Sequence, residues 1–129
     1  MNEIWVVDDM RELEPINGCT ITHFKTDDEF ITFVKDYANE INHFRSDTIT
    51  VILDHDAGGE AFGEDTFRES VKTLCELYIE NKLPKLYARI VTLNPAGKEW
   101  IAAELKNAAI EFDMDPGGRE TGMIAPAGW

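Results

Sequence analysis

Two apolar runs in this chain end in carboxylates. Ile4-Trp5-Val6-Val7 runs into Asp8-Asp9, and Thr50-Val51-Ile52-Leu53 runs into Asp54-His55-Asp56-Ala57-Gly58-Gly59. Two strands of one sheet that both finish in this way can gather their carboxylates at a single sheet end. Open α/β sheets bind ligands there. Clustered carboxylate oxygens suit hard cations such as Mg²⁺. The competing reading is an acidic sheet end that holds no ion. Histidine is the side chain whose ordinary pKa lies nearest neutrality. Between two aspartates, His55 can give or take a proton, or simply donate to a carboxylate and order the loop.

These residues need elements to position them. Residues 4–7 and 49–53 read as central strands, because short apolar, β-branched runs stop at a change to charge. Tyr87-Ala88-Arg89-Ile90-Val91-Thr92-Leu93 reads as a third. Residues 19–24 can form a further short strand after the turn signals Pro15 and Asn17-Gly18. Thr26-Asp27-Asp28-Glu29 has the pattern of a capping box. Phe30, Phe33, Val34, Tyr37 and Ile41 follow it at helical spacing. His43 falls at the end of that helix. Asp65 is the expected cap of a second helix over about residues 66–80, with Phe67, Val71, Leu74 and Tyr78 as its buried stripe and Cys75 beside it.

Asn94-Pro95-Ala96-Gly97 reads as a break, after which helical periodicity resumes through Trp100, Ile101 and Leu105. Asn94 can orient a phosphate or cap the turn. Gly97, at the next helix start, would let the chain pass close to an anion. Gly58-Gly59 serves a tight turn or a phosphate nest, and it does not match the GxxxxGK[ST] pattern. Residues 109–112 either extend the last helix or begin an edge strand. The Gly/Pro-rich stretch 113–129 reads as a tail, with Trp129 its only large aromatic.

Strands alternating with helical patterns argue for parallel α/β layers. About a dozen residues separate the first strand from the second, too few for a full helix in that crossover. The expectation is one α/β domain over residues 1–112: a flavodoxin- or receiver-like three-layer sandwich with a mostly parallel sheet, reduced in its first helix and final strand.

Composition narrows the function classes. The chain has 129 residues, 43% of them hydrophobic, with 12 basic and 25 acidic side chains and a formal net charge of −13. No basic stripe offsets that charge, so direct binding to a nucleic-acid backbone is not expected. Attraction to a basic protein surface is. No run approaches the roughly 20 apolar residues of a membrane span, so no membrane partner is expected. Met1-Asn2-Glu3 carries no signal-peptide pattern, which makes a cytoplasmic location the expectation. Cys19 and Cys75 are too few for a disulfide framework.

In order along the chain, Trp5-Val6-Val7-Asp8-Asp9, Leu53-Asp54-His55-Asp56-x-Gly58-Gly59 and Thr92-x-Asn94-Pro95-x-Gly97 resemble a response-regulator receiver domain. They look closer still to the small receiver-like family named for predicted cyclic-phosphate processing. The resemblance covers roughly residues 4–108. It implies a doubly wound parallel sheet with helices on both faces. Asp8 and Asp9 would help to hold Mg²⁺, or Mn²⁺ in its place. Asp54 would occupy the phosphoacceptor position and act as nucleophile, and Thr92 would contact the phosphoryl group. His55-Asp56 marks the closer family, with Asp56 reaching the metal directly or through water. In that reading Asp54, His55 and Asn94 are the catalytic candidates, and Thr92, Asn94, Gly97 and Lys98 the phosphate-binding ones.

The chain departs from the receiver pattern in two respects, the first being the missing full first helix. It also has no clear fifth strand ending in lysine, and Lys98 stands as a substitute for that charge. The implied ligand is a phosphate-containing small molecule such as a cyclic phosphate or nucleotide. The alternatives are a noncatalytic acidic interaction or inhibitor protein, phage or mobile-element encoded, and a degenerate receiver.

Overall fold

The computed structural model describes residues 2–9, 12–40, 48–55, 66–92 and 94–114. Its elements, in chain order, are β1 (Asn2–Val7), β2 (Cys19–Phe24), α1 (Asp27–Asn39), β3 (Ile49–Leu53), α2 (Arg68–Ile79), β4 (Leu86–Ile90), α3 (Pro95–Asn107) and β5 (Glu111–Met114). The five strands form one sheet in the order β2-β1-β3-β4-β5, and every neighbouring pair is parallel. This is the flavodoxin-like order. The strands expected to be central, β1, β3 and β4, are the three inner ones.

Strands buried on both faces read as unbroken apolar runs, and β1 obeys this: Ile4, Trp5, Val6 and Val7 have no solvent exposure. Alternation then divides them. Trp5 and Val7 join Val51, Leu53, Ala88 and Ile90 in a core completed by Phe30 and Val34 of α1, Val71 and Leu74 of α2, and Ile101 and Leu105 of α3. Ile4, Val6 and Ile52 point the other way, against Leu13, Val91 and Ile16. All three helices therefore cover one face. Crossovers between parallel strands keep one hand. The β2–β3, β3–β4 and β4–β5 connections all step in one direction across the sheet, and so their helices share a face. Only the β1–β2 connection steps the opposite way, and residues 8–18 form no helix among those described. The second face thus carries the reduced first crossover that its length foreshadowed.

Local chemistry accounts for most boundaries. Thr26 caps α1: its hydroxyl accepts from the Glu29 N–H at 3.2 Å, and the Glu29 carboxylate accepts from the Thr26 N–H at 3.1 Å. Gly18 turns the chain into β2 with a φ of +82°. Two helix starts differ from expectation. Asn94 and Pro95 are not a break before α3; they are its N-cap and first residue, with the Asn94 side chain accepting from the Gly97 N–H at 3.1 Å. α2 begins at Arg68 rather than 66: buried Phe67 is its N-cap residue, with a φ of −96° and a ψ of 22°, and its N–H, free of any intrahelical partner, donates to the His55 carbonyl at 2.8 Å. Asp65, its expected cap, lies outside the described residues, as do Ile41, His43, Gly58 and Gly59.

The C-terminal end of α3 settles the reading of 109–112. Ala109 takes a φ of 60° and stops the helix, and the chain enters edge strand β5. That strand continues to Met114, past the expected start of the tail, and contains no lysine. Among the described residues Cys19 and Cys75 are free thiols, and no helix is long and apolar enough to cross a membrane.

Candidate functional site

The carboxylates meet where the sequence implied. Backbone hydrogen bonds continue the ladders one residue past the strand ends: Asp8 N–H to Phe24 O at 3.1 Å, Asp54 N–H to Val7 O at 2.9 Å, and Val91 N–H to Leu53 O at 2.9 Å. These bonds fix Asp8 and Asp54 side by side. One carboxylate oxygen from each of Asp8, Asp9 and Asp54 lies within 4.8 Å of the others. Asp8 and Asp54 are buried, at 1% and 7% exposure, and Asp9 is half-buried.

The donor set fits a hard divalent cation. Oxygens around Mg²⁺ at about 2.1 Å lie roughly 3 to 4.2 Å apart, a spacing compatible with three carboxylate oxygens within 4.8 Å of one another. Ionised carboxylates whose oxygens lie within 4.8 Å of one another repel, by on the order of a few kcal/mol at an effective dielectric of 20. A dication relieves that repulsion. Asp56, the fourth expected ligand, lies outside the described residues.

His55 follows directly. Its backbone N–H donates to Asp54 Oδ1 at 2.8 Å, and its ring is buried. Its Nε2 accepts from Arg68 Nε at 2.9 Å. The Arg68 guanidinium in turn lies 4.8 Å over the centre of the Trp100 ring, a cation–π contact. Trp100 also meets the imidazole edge-on, with centroids 6.4 Å apart.

The remaining candidates line the β4–α3 junction. Thr92 is buried, and its hydroxyl oxygen accepts from the Asn94 N–H at 3.1 Å. The Asn94 side-chain oxygen caps α3, the second of its two expected roles. Lys98 sits in the first turn of that helix, half-buried, its N–H bonded to Asn94 O. Gly97 packs directly against His55. A Cβ built there would fall 2.4 Å from His55 Cγ and 2.8 Å from His55 Cβ. The imidazole fills the space beside that glycine.

Arg68 and Trp100 were not among the sequence candidates for the site. A signal was present for Arg68. A cation in the first turn opposes the helix dipole, which marks an arginine held there by something else. Comparison with protein-family models, with curated proteins and with solved structures gives no match.

Proposed function

We propose that this is a receiver-like domain that holds Mg²⁺, or Mn²⁺, on Asp8, Asp9 and Asp54 and binds beside it the phosphate group of a small molecule. The observation that carries the reading is the meeting of three carboxylates, two of them buried, at the ligand-binding end of a parallel sheet. The cation, when bound, supplies charge neutralisation and polarises a phosphoryl oxygen. The chain's own part is to hold Asp54 rigidly, through its backbone N–H on Val7 and its carboxylate on the His55 N–H. Cyclic phosphates are the substrate class favoured by the motifs' resemblance to the family named for processing them.

Isothermal titration with Mg²⁺ tests the metal site. Wild-type protein should bind and Asp54→Ala should weaken binding at least tenfold. Equal affinity in the two would remove Asp54 as a ligand. The apo form gives a second readout. Asp54→Asn keeps the acceptor for the His55 N–H and removes one charge from the cluster, so it should melt higher than wild type without metal and gain less from added Mg²⁺. Turnover is assayed on cyclic mono- and oligonucleotides with Mg²⁺ or Mn²⁺. No turnover by wild type would overturn processing and leave binding to the titration.

A further inference from the structure

The two edges of the sheet are not alike. β5 is short and carries Glu111 and Asp113, charges of the kind that keep an edge strand from pairing with another chain. β2 has six residues and contains no lysine, proline or carboxylate. We propose that β2 is a docking edge, which takes an extended segment of a basic partner protein as an added strand of the sheet. This goes beyond the metal-site reading and does not depend on it.

The Phe24 carbonyl accepts from the Asp8 N–H, so the backbone groups of Phe24 face β1. Those groups alternate along a strand, and the N–H and C=O of Ile21 and His23 therefore face away from β1. Among the described residues no strand pairs with that side. Beside it lies a crevice of about 270 Å³, lined by Leu13, Pro15, Ile16, Cys19, Ile21 and His23. Cys19, Ile21 and His23 alternate and so share one face of β2. It is the face of Ile4 and Val6, which stand opposite Ile21 and His23 in register. The far wall is pinned, because the Leu13 N–H donates to His23 Nε2 at 3.1 Å. The volume falls below the roughly 300–1,000 Å³ of a small-molecule site and suits apolar side chains of an added strand. Strand addition uses both features: main-chain bonds give affinity, and pockets for alternate side chains give specificity.

Charge selects the partner. The chain carries a formal net charge of −13, which opposes a second copy on this edge and favours a basic segment. Near β2, Glu12 and Glu14 are exposed on the connection that forms the crevice. Asp28 and Asp36 are exposed on α1, which packs against β2 through Phe30 and Phe33 on Phe24. Lys25 is already paired with Glu12 at 3.4 Å. A segment that alternates apolar residues with lysine or arginine meets the crevice with one face and the surrounding acids with the other.

The probes are a panel of short capped peptides in which lysine alternates with valine, leucine or phenylalanine. Binding is followed by NMR of the backbone amides and by the rate at which a maleimide labels Cys19. At least one peptide should bind saturably, shift the Ile21 and His23 amides and slow their exchange with solvent. It should also slow Cys19 labelling several-fold. N-methylation of the peptide amides should weaken binding about tenfold or more, because the ladder bonds are lost. Replacing the peptide lysines with glutamates should abolish binding. Protein carrying Glu12→Lys and Glu14→Lys should bind the lysine peptide about three- to tenfold more weakly. Equal binding of the N-methylated peptide overturns strand addition, and equal binding of the glutamate peptide overturns the basic partner. Shifts confined to other surfaces, or no saturable binding by any peptide, overturn the proposal as a whole. Ile21 and His23 amides protected without peptide, in a protein that sediments as a dimer, overturn it in favour of a second copy.

Discussion

Gly97→Ala isolates the contact on which the site's second half is built. Alanine is ordinarily the better helix residue by up to about 1 kcal/mol, and it reduces the freedom of the unfolded chain. Against this stands a Cβ placed 2.4 Å from His55 Cγ, 2.7 Å from Nδ1 and 2.8 Å from Cβ, where carbon contacts normally begin near 3.5 Å. Something must move by about 1 Å. His55 has little room to do so: its N–H is on Asp54, its carbonyl on Phe67 and its Nε2 on Arg68. Overpacking of this kind costs about 1–3 kcal/mol, and a hydrogen bond lost as the ring shifts adds about 1 more. The clash therefore wins, for a net loss of about 1–3 kcal/mol. At roughly 4 °C per kcal/mol for a chain of this size, the melting temperature should fall by about 4–12 °C in a calorimetric scan. The same substitution in a His55→Gly background removes all three clashing atoms and should cost nothing. A Gly97→Ala protein that melts at or above wild type, or an equal loss in both backgrounds, would refute the reasoning.

Two further outcomes follow from the rest of the fold. Burial, with smaller contributions from the Glu104 and Glu76 charges, pushes the Cys75 thiol up from 9.0 to about 12. At pH 8 only about one in ten thousand of these thiols is ionised, so a maleimide should label Cys19 and spare Cys75 in the folded protein; comparable rates by mass spectrometry would contradict the packing. The raised value also means that the thiol favours folding fully below pH 9, and that this contribution is lost as pH rises from 9 to 12. Ala109→Gly should raise the melting temperature by a few degrees, because alanine at a φ of 60° costs about 1–2 kcal/mol that glycine does not; an unchanged or lower value would mean that the left-handed turn is not strained.

The central strands were legible because each carries its own signal. An apolar run that stops at a carboxylate or a hydroxyl residue needs no distant partner to be read, and β1, β3 and β4 all have that form. The α1 cap was legible for the same reason, since Thr26 and Glu29 satisfy each other within three residues. The helix starts were harder. Asn followed by Pro marks a turn and also a helix N-cap with its first residue, and only packing of Ile101 and Leu105 against the sheet selects the second. At the start of α2 the N–H of Phe67 bonds back to His55, a contact that the local pattern says nothing of.

The same distinction governs the site. The acidic cluster could be inferred from residue types and strand ends, because parallel pairing in register brings strand ends together. The roles of His55 and Gly97 could not, because each is fixed by the other from the ends of two different strands, β3 and β4. Read locally, a histidine between two aspartates suggests proton transfer, and a glycine at a helix start suggests room for an anion. In the fold the histidine fills the glycine's space and spends its Nε2 lone pair on Arg68. Those contacts join α2 and α3 to the end of β3, an arrangement that no local pattern encodes.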